Sequence, residues 1–481
     1  MIPADLLKHA GGYIGGQWVC ESAGGTFDVV NPATGEVLAS LPNMGEVETN
    51  AAIEACERAL RAAPAPSDRR NWLMAIHDRM LERKHDLGRL ITLEHGKPLK
   101  EGMAEVEYTA GFFRFFAEQI DRLGAEPLPG RMRNCRWTIH HRPAGVVGLI
   151  TPWNFPMAMI GKKVAPALAA GCAAVVKPAR EAPLSTLALC SLAEEVGVPA
   201  GRFNVVVGQA GPIGAALCRH PAVRLISFTG STEVGRLLIA NTAPHIKKLA
   251  MELGGNAPFL VFADADLEAA VAALMANKFR AGGQTCVCTN RVYVHRSIAR
   301  PFTDAVVARV RALRIGNGLD ADTDIGPLIN RDAFDKVAAH VRDALARGAT
   351  RLVGGDPPRP SADWGAFYPP TVLTGITPDM LVCREETFGP VVAIGEFDDE
   401  DRVVEDANGT CYGLAAYVFT RDAARAERIL PRLHFGHVGL NTGTGPTPEA
   451  PFGGMKQSGF GREGGLEGLL EFCDTQVVAT P

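Results

Sequence analysis

Apolar positions recur along the chain with two different periods. In residues 46–62, 67–95 and 98–122 they return every three or four positions among Ala, Leu, Glu and Arg, which predicts three helices. The first two are separated by the Pro-containing APAPSD. In the third, Phe112, Phe115 and Phe116 stand at i, i+3 and i+4 and mark a face turned to a core.

From about residue 144 short apolar runs alternate with helical stretches. GVVGLI is followed by a helix near 160–170, AAVVKP by 185–197, FNVVVG by 212–219 and RLISFTG by 232–240. A second alternating region runs from about 258 to 435, with helices at 266–280, 297–313 and 331–347. Strand–helix alternation predicts doubly wound parallel sheets covered on both faces. The expected fold is therefore α/β with two Rossmann-type domains, residues 1–123 together with 144–252, then 253–440. Residues 124–143 and 466–481 break the alternation. Their segments CRWTIHHR and EFCDTQVVATP read as strands of a small antiparallel appendage. Strand edges invite pairing with another chain, so these strands are expected to build a homodimer or homotetramer.

Composition narrows the function class. The 481 residues suit two or three domains, and 47% hydrophobic residues supply large cores. A formal net charge of -4 gives no general attraction to nucleic acid or to an acidic membrane surface. No run of about 18 apolar residues could span a bilayer, and the N-terminus lacks the basic and apolar regions of a cleaved signal. The 11 cysteines are scattered, which suits reduced thiols and a cytoplasmic location. Paired CxxC motifs and HExxH are absent, so no metal site is expected. Small-molecule chemistry remains.

Four segments carry candidate chemistry. KFRAGGQTCVCTNRV (278–292) places Cys286 among Gly and small polar residues. A lone cysteine is more often a small buried hydrophobe than a nucleophile, so this segment alone leaves its role open. MELGGNAP (251–258) puts Glu252 just after an apparent strand and before two glycines, a good place for a ligand crevice, although a salt-bridged Glu is the commoner case. TPWNFP (151–156) holds Asn154, whose amide has two donors, in a loop stiffened by prolines; it is an oxyanion donor or an ordinary turn residue. VVKPAR (175–180) ends a strand on Lys177, and FTGSTEVG (228–235) passes from strand to helix, where free amides favour a phosphate. Its G-x-x-x-x-G spacing is weak evidence by itself.

Taken in order, and with EETFGPV (385–391) and PFGGMKQSGFGREGG (451–465), these segments resemble the aldehyde dehydrogenase superfamily over nearly the whole chain. FRAGGQTCVCTNR and IGNGLDADTDIGPLIN (315–330) look most like its succinate-semialdehyde dehydrogenase branch. The resemblance implies Cys286 as nucleophile, Glu252 as general base, Asn154 as oxyanion donor and Lys163 as a lysine near the active site. It implies cofactor contacts from Thr151, Pro152, Trp153, Lys177, Ala179, Arg180, Gly230, Ser231, Val234, Leu253, Glu386 and Phe388. It implies substrate contacts from Phe155, Lys162, Arg280, Thr285, Thr447 and Phe452.

Arg280 matches an arginine that binds the distal carboxylate of the substrate in that branch. Two positions depart from the pattern: Lys162 stands where a second arginine is usual, and Pro446 where a serine is usual. A lysine keeps the charge but loses the bidentate fork. Succinate semialdehyde is thus the first substrate choice, with a longer or substituted semialdehyde or a neutral aldehyde as alternatives. Arg180 stands where NAD-selective relatives often carry Glu, which favours NADP while leaving NAD open. Cys288 is a candidate for a reversible disulfide with Cys286, or a merely structural thiol. Two further alternatives are a coenzyme A-acylating dehydrogenase, against which the retained Glu252 argues, and a non-catalytic structural protein of this fold.

Overall fold

The computed structural model describes residues 6, 9–129, 135–356 and 365–481. The runs expected as buried strands are so. Val146–Ile150 and Ala173–Lys177 are buried at every position, as a parallel sheet covered on both faces requires. They lie at the centre of an eight-stranded sheet. Its order is Gly459–Phe460, Lys248–Glu252, Val223–Thr229, Val146–Ile150, Ala173–Lys177, Phe203–Val205, Gly12–Ile14 and Gln17–Val19. The five strands between Lys248 and Val205 in that order run parallel. The N-terminal hairpin and Gly459–Phe460 close the two edges antiparallel.

A second sheet of seven strands has the order Thr350–Val353, Thr371–Thr374, Val391–Phe397, Thr289–His295, Ala257–Val261, Ala415–Phe419 and His437–Leu440. Only Thr350–Val353 pairs antiparallel. The fold is thus α/β with two Rossmann-like parallel sheets, as the alternation of strands and helices implies.

The expected appendage is a three-stranded antiparallel sheet, in which Arg136–Pro143 pairs with Cys473–Thr480 and with Glu126–Leu128. Residues 130–134 of the predicted segment lie outside the described residues. Val477 is 52% exposed on the outer strand.

Two details differ from the sequence reading. The helix expected over 67–95 is two helices, Pro66–Glu82 and Lys84–His95, because Arg83 leaves helical geometry (φ -101°, ψ 17°). Each half keeps its own apolar stripe, so the period runs on through the bend and hides it. The early strands Gly12–Ile14, Gln17–Val19, Thr26–Val30 and Val37–Pro42 carry no strong alternation and were not anticipated.

Register decides where a ligand can sit. Ile150 pairs with Lys177 and with Phe228, and Thr229 pairs with Glu252. The carboxyl ends of four adjacent strands therefore line up, which is where open parallel sheets bind ligands. Only Leu253–Asn256 separates Glu252, the last residue of the first sheet, from Ala257, the first of a strand in the second. The carboxyl ends of one sheet thus face the amino ends of the other, and Cys286 lies just ahead of the strand Thr289–His295.

Among the described residues no helix is long and apolar enough to cross a membrane.

Candidate active site

Cys286 is half-buried and belongs to two cavities at once. One, of about 360 Å³, is lined by Pro152, Trp153, Gly230, Ser231, Glu386 and Phe388 among others. The second, of about 320 Å³, is lined by Phe155, Lys162, Arg280, Thr285, Thr447 and Phe452 among others. The thiol is thus reachable from both sides.

Local chemistry puts it there. Ala281, Gly282 and Gly283 follow one another at φ +50°, +65° and +77°, a left-handed run that ends the preceding helix. A Cβ on Gly283 would lie 2.3 Å from the carbonyl oxygen of Gly389, and one on Gly255 would lie 2.3 Å from that of Cys286. Both positions need glycine for close backbone approach. Gln284 locks the turn, its side-chain amide donating to the Ala281 carbonyl (3.0 Å) and its oxygen accepting from the Ile329 amide (2.9 Å).

Burial pushes the Cys286 thiol up to about 12, with the Glu386 carboxylate adding to it and the Lys162 ammonium opposing it. The resting sulfur is therefore a thiol and needs a base to react. Glu252 is buried, and both its carboxyl oxygens lack a hydrogen-bond partner. Burial, then the negative charge of Glu463, raises its pKa well above the usual range. A raised carboxyl pKa makes the ionised form a stronger base.

Glu463 itself is buried but stays ionised. The Lys163 and Lys162 ammoniums outweigh its burial and hold its carboxyl below the usual range. Lys163 donates to Glu463 Oε1 (2.5 Å) and to Ser227 Oγ (2.9 Å). Lys163 lines neither cavity, so it stands behind the site rather than in it. Lys162 lies 3.7 Å from Glu463 Oε2, and the rings of Tyr108, Phe112 and Phe452 surround its Nζ at 5.5, 5.6 and 5.2 Å.

Asn154 lines the first cavity beside Cys286. It is buried, and its amide nitrogen donates to the Gln284 carbonyl (3.0 Å). An amide carries two N–H groups, which leaves one for an oxyanion.

Of the expected cofactor residues, Pro152, Trp153, Gly230, Ser231, Leu253, Glu386 and Phe388 come together in the first cavity. Ser231 caps the helix Thr232–Thr242, accepting from the Val234 amide (3.3 Å). Glu386 accepts from the Gly255 amide (3.0 Å), and burial raises its carboxyl to about 7. Phe388 sits at φ +57° with its ring edge-on to Trp153, centroids 5.5 Å apart. Holding a non-glycine residue there costs energy and is common at ligand clamps.

Thr151, Lys177, Ala179, Arg180 and Val234 lie outside that cavity. The Thr151 hydroxyl is buried without a partner. Burial lowers Lys177 to about 8, and the exposed Arg180 guanidinium lies 4.6 Å over the Phe27 ring. A capped helix N-terminus, a carboxylate, an aromatic pair and an orphaned hydroxyl fit a dinucleotide.

Every expected substrate residue lines the second cavity, and Pro446 lies beside Thr447. Among the described residues the exposed Arg280 guanidinium makes no hydrogen bond or ion pair; it lies 4.9 Å over the Phe155 ring. Cys288 lines neither cavity. It is a buried free thiol directed at the Lys278 and Thr289 carbonyls.

Sequence reasoning missed Glu101, Glu105 and Tyr108 in the second cavity, Lys336 in the first, and Glu463 behind both. A signal existed for the first three. Glu101, Glu105 and Tyr108 fall at helical spacing on the same stripe as Phe112.

The family model "Aldehyde dehydrogenase family" matches residues 18–478. The chain is 47% identical to a glutarate-semialdehyde dehydrogenase of Pseudomonas aeruginosa, over 97% of this chain and 96% of that one. It is also 47% identical to an NADP(+) succinate-semialdehyde dehydrogenase of Escherichia coli, again over 97% and 96%. A solved oxidoreductase from Marinobacter aquaeolei superposes with a TM-score of 0.97 at 52% identity, covering all of both chains.

Proposed function

Since the chain belongs to the aldehyde dehydrogenase family, we propose that it oxidises a carboxylate-bearing semialdehyde to the diacid, with succinate semialdehyde the first choice. One observation carries the reading: Cys286 is shared by a cavity suited to a dinucleotide and a cavity with a guanidinium at its wall that makes no ion pair among the described residues. NADP is the favoured cofactor and NAD the alternative. The relative from Escherichia coli is an NADP(+) enzyme by name, and Arg180 offers charge for a 2′-phosphate.

The residues divide the work. Arg280 holds the distal carboxylate by a guanidinium fork. The Cys286 sulfur loses its proton to Glu252, directly or through water, and attacks the aldehyde carbon. Asn154 and the Cys286 backbone amide stabilise the resulting oxyanion. The bound nicotinamide supplies the hydride acceptor. The thioester left on Cys286 is then hydrolysed by water activated by Glu252, which favours acid formation over transfer to coenzyme A. The exposed outer strand Cys473–Thr480 supports a homo-oligomer, and the free cysteines support a cytoplasmic location.

A five-carbon semialdehyde is the second reading. Lys162 is already engaged by Glu463 and enclosed by three rings, so among the described residues of this cavity Arg280 is the cation left for a distal acid. Steady-state kinetics on aldehydes with and without a terminal carboxylate, four to six carbons long and with both dinucleotides, tests this. Acid-bearing substrates should win in kcat/KM, and Arg280→Ala should erase their advantage. Preference for neutral aldehydes, untouched by Arg280→Ala, overturns the substrate class.

A further inference from the structure

Two buried charges near the site have no role in the chemistry described above. Lys97 and Glu105 form an ion pair at 2.6 Å with both side chains fully buried. Ionised pairs do not settle in a core without further partners, and the partners here all lie on active-site segments. Lys97 Nζ donates to the backbone carbonyl of Asn154 (2.8 Å) and sits 3.9 Å over the Phe155 ring. Glu105 Oε1 accepts from the backbone amides of Met157 (3.0 Å) and Ala158 (3.1 Å). The pair thus grips the loop of Asn154 at both ends.

One helical turn earlier, Glu101 Oε2 accepts from the backbone amide of Ala281 (2.7 Å). Ala281 opens the left-handed run between Arg280 and Cys286. The first turns of the helix Leu99–Gln119, with Lys97 just ahead of them, therefore hold both the oxyanion loop and the turn that carries the guanidinium and the thiol.

Resting on the site reading above, we propose that Lys97, Glu101 and Glu105 are positioning residues for the reaction: Lys97 and Glu105 set Asn154 against Cys286, and Glu101 sets Arg280 for the distal carboxylate. Lys97 lines neither cavity, and although Glu101 and Glu105 reach the wall of the second, their hydrogen bonds go to backbone amides of the site loops. Their effect runs through backbone groups, where a displacement of about 1 Å can cost on the order of a hundredfold in rate.

The two halves separate by experiment. Replacing both members of the pair, Lys97→Met with Glu105→Gln, leaves no unpaired buried charge, so folding is preserved. The expected result is a fall of kcat of about a hundredfold for acid-bearing and neutral aldehydes alike. Dinucleotide affinity, read by quenching of protein fluorescence, and Tm should stay near wild type. Glu101→Ala should lower the kcat/KM ratio of acid-bearing to neutral aldehydes about tenfold, mainly through KM. Glu101→Gln keeps an acceptor for the Ala281 amide and should restore the ratio.

Wild-type kcat in the double variant, or an unmoved ratio in Glu101→Ala, overturns the proposal. So does a loss of dinucleotide binding parallel to the loss of kcat, which marks a general structural role. A wild-type enzyme that turns over no aldehyde removes the site reading, and the positioning role falls with it.

Discussion

Lys163 donates to Glu463 at 2.5 Å, and through that ion pair the buried helix Ala158–Ala170 controls the charge that Glu252 faces. Two carboxylates share one buried region, and the lysines lower the pKa of both while the charge of Glu463 raises that of Glu252. Glu463 is held below the usual carboxylate range, and its charge in turn helps burial to hold Glu252 above it.

Glu463→Gln removes that like charge and frees two ammoniums. Both changes favour ionised Glu252, so the acid limb of the kcat–pH profile should move to lower pH by about one unit or more. Stability has its own sign. A carboxyl held below its unfolded pKa stabilises the fold above that pKa, and the gain is lost as pH falls through the lowered value. Wild type should therefore lose Tm on acidification across this window more steeply than the variant. At neutral pH, breaking the buried pair should cost about 3–5 kcal/mol. An acid limb that does not move rules out electrostatic coupling between the two carboxylates.

Glu386 raises the Cys286 pKa by its charge, second only to burial. Its own carboxyl titrates near 7, so at pH 8 it is mostly ionised. Glu386→Gln should lower the thiol pKa and speed alkylation of Cys286 by iodoacetamide at pH 8, by about threefold for each unit of pKa lost, since the thiolate fraction rises about tenfold while its nucleophilicity falls. Mass spectrometry of the labelled peptide reads the rate. A rate equal to or below wild type contradicts the assignment.

Asn154 has one amide hydrogen committed to Gln284. If the other stabilises the oxyanion, Asn154→Ala should lower kcat by about a hundredfold or more, the effect of losing about 2.7–4 kcal/mol of transition-state stabilisation. KM should change little. A rise in KM at constant kcat would show ground-state binding instead.

Arg180 is exposed at the end of VVKPAR. Arg180→Glu should reduce the NADP/NAD ratio of kcat/KM more than tenfold, since one change removes an attraction for the 2′-phosphate and adds a repulsion. An unchanged ratio takes Arg180 out of cofactor selection.

Parts of the site were legible because they depend on residue type at the end of a strand. Glu252 ends one strand, Lys177 another, and Asn154 lies in the loop after a third, so the strand–helix alternation already put them at one edge of a sheet. The bend at Arg83 was not legible, since the apolar period continues through it. Glu463 was not legible either, because it lies 300 residues from its partner Lys163. Nor does any local motif show that Lys163 faces Glu463 and Ser227 from outside both cavities.

By itself the sequence determined the two parallel sheets and the antiparallel strands within 124–143 and 466–481, and it singled out Cys286, Glu252 and Asn154 as candidates for the chemistry. These follow from local periodicity and from motifs a few residues long. Only the tertiary structure decided that Cys286 belongs to two cavities, that Lys162 meets Glu463 while Arg280 makes no ion pair among the described residues, and that Glu101 and the Lys97–Glu105 pair bond to the loops that carry Ala281 and Asn154. Those relations join segments far apart in the chain, and the energy of a buried charge depends on which of them meet.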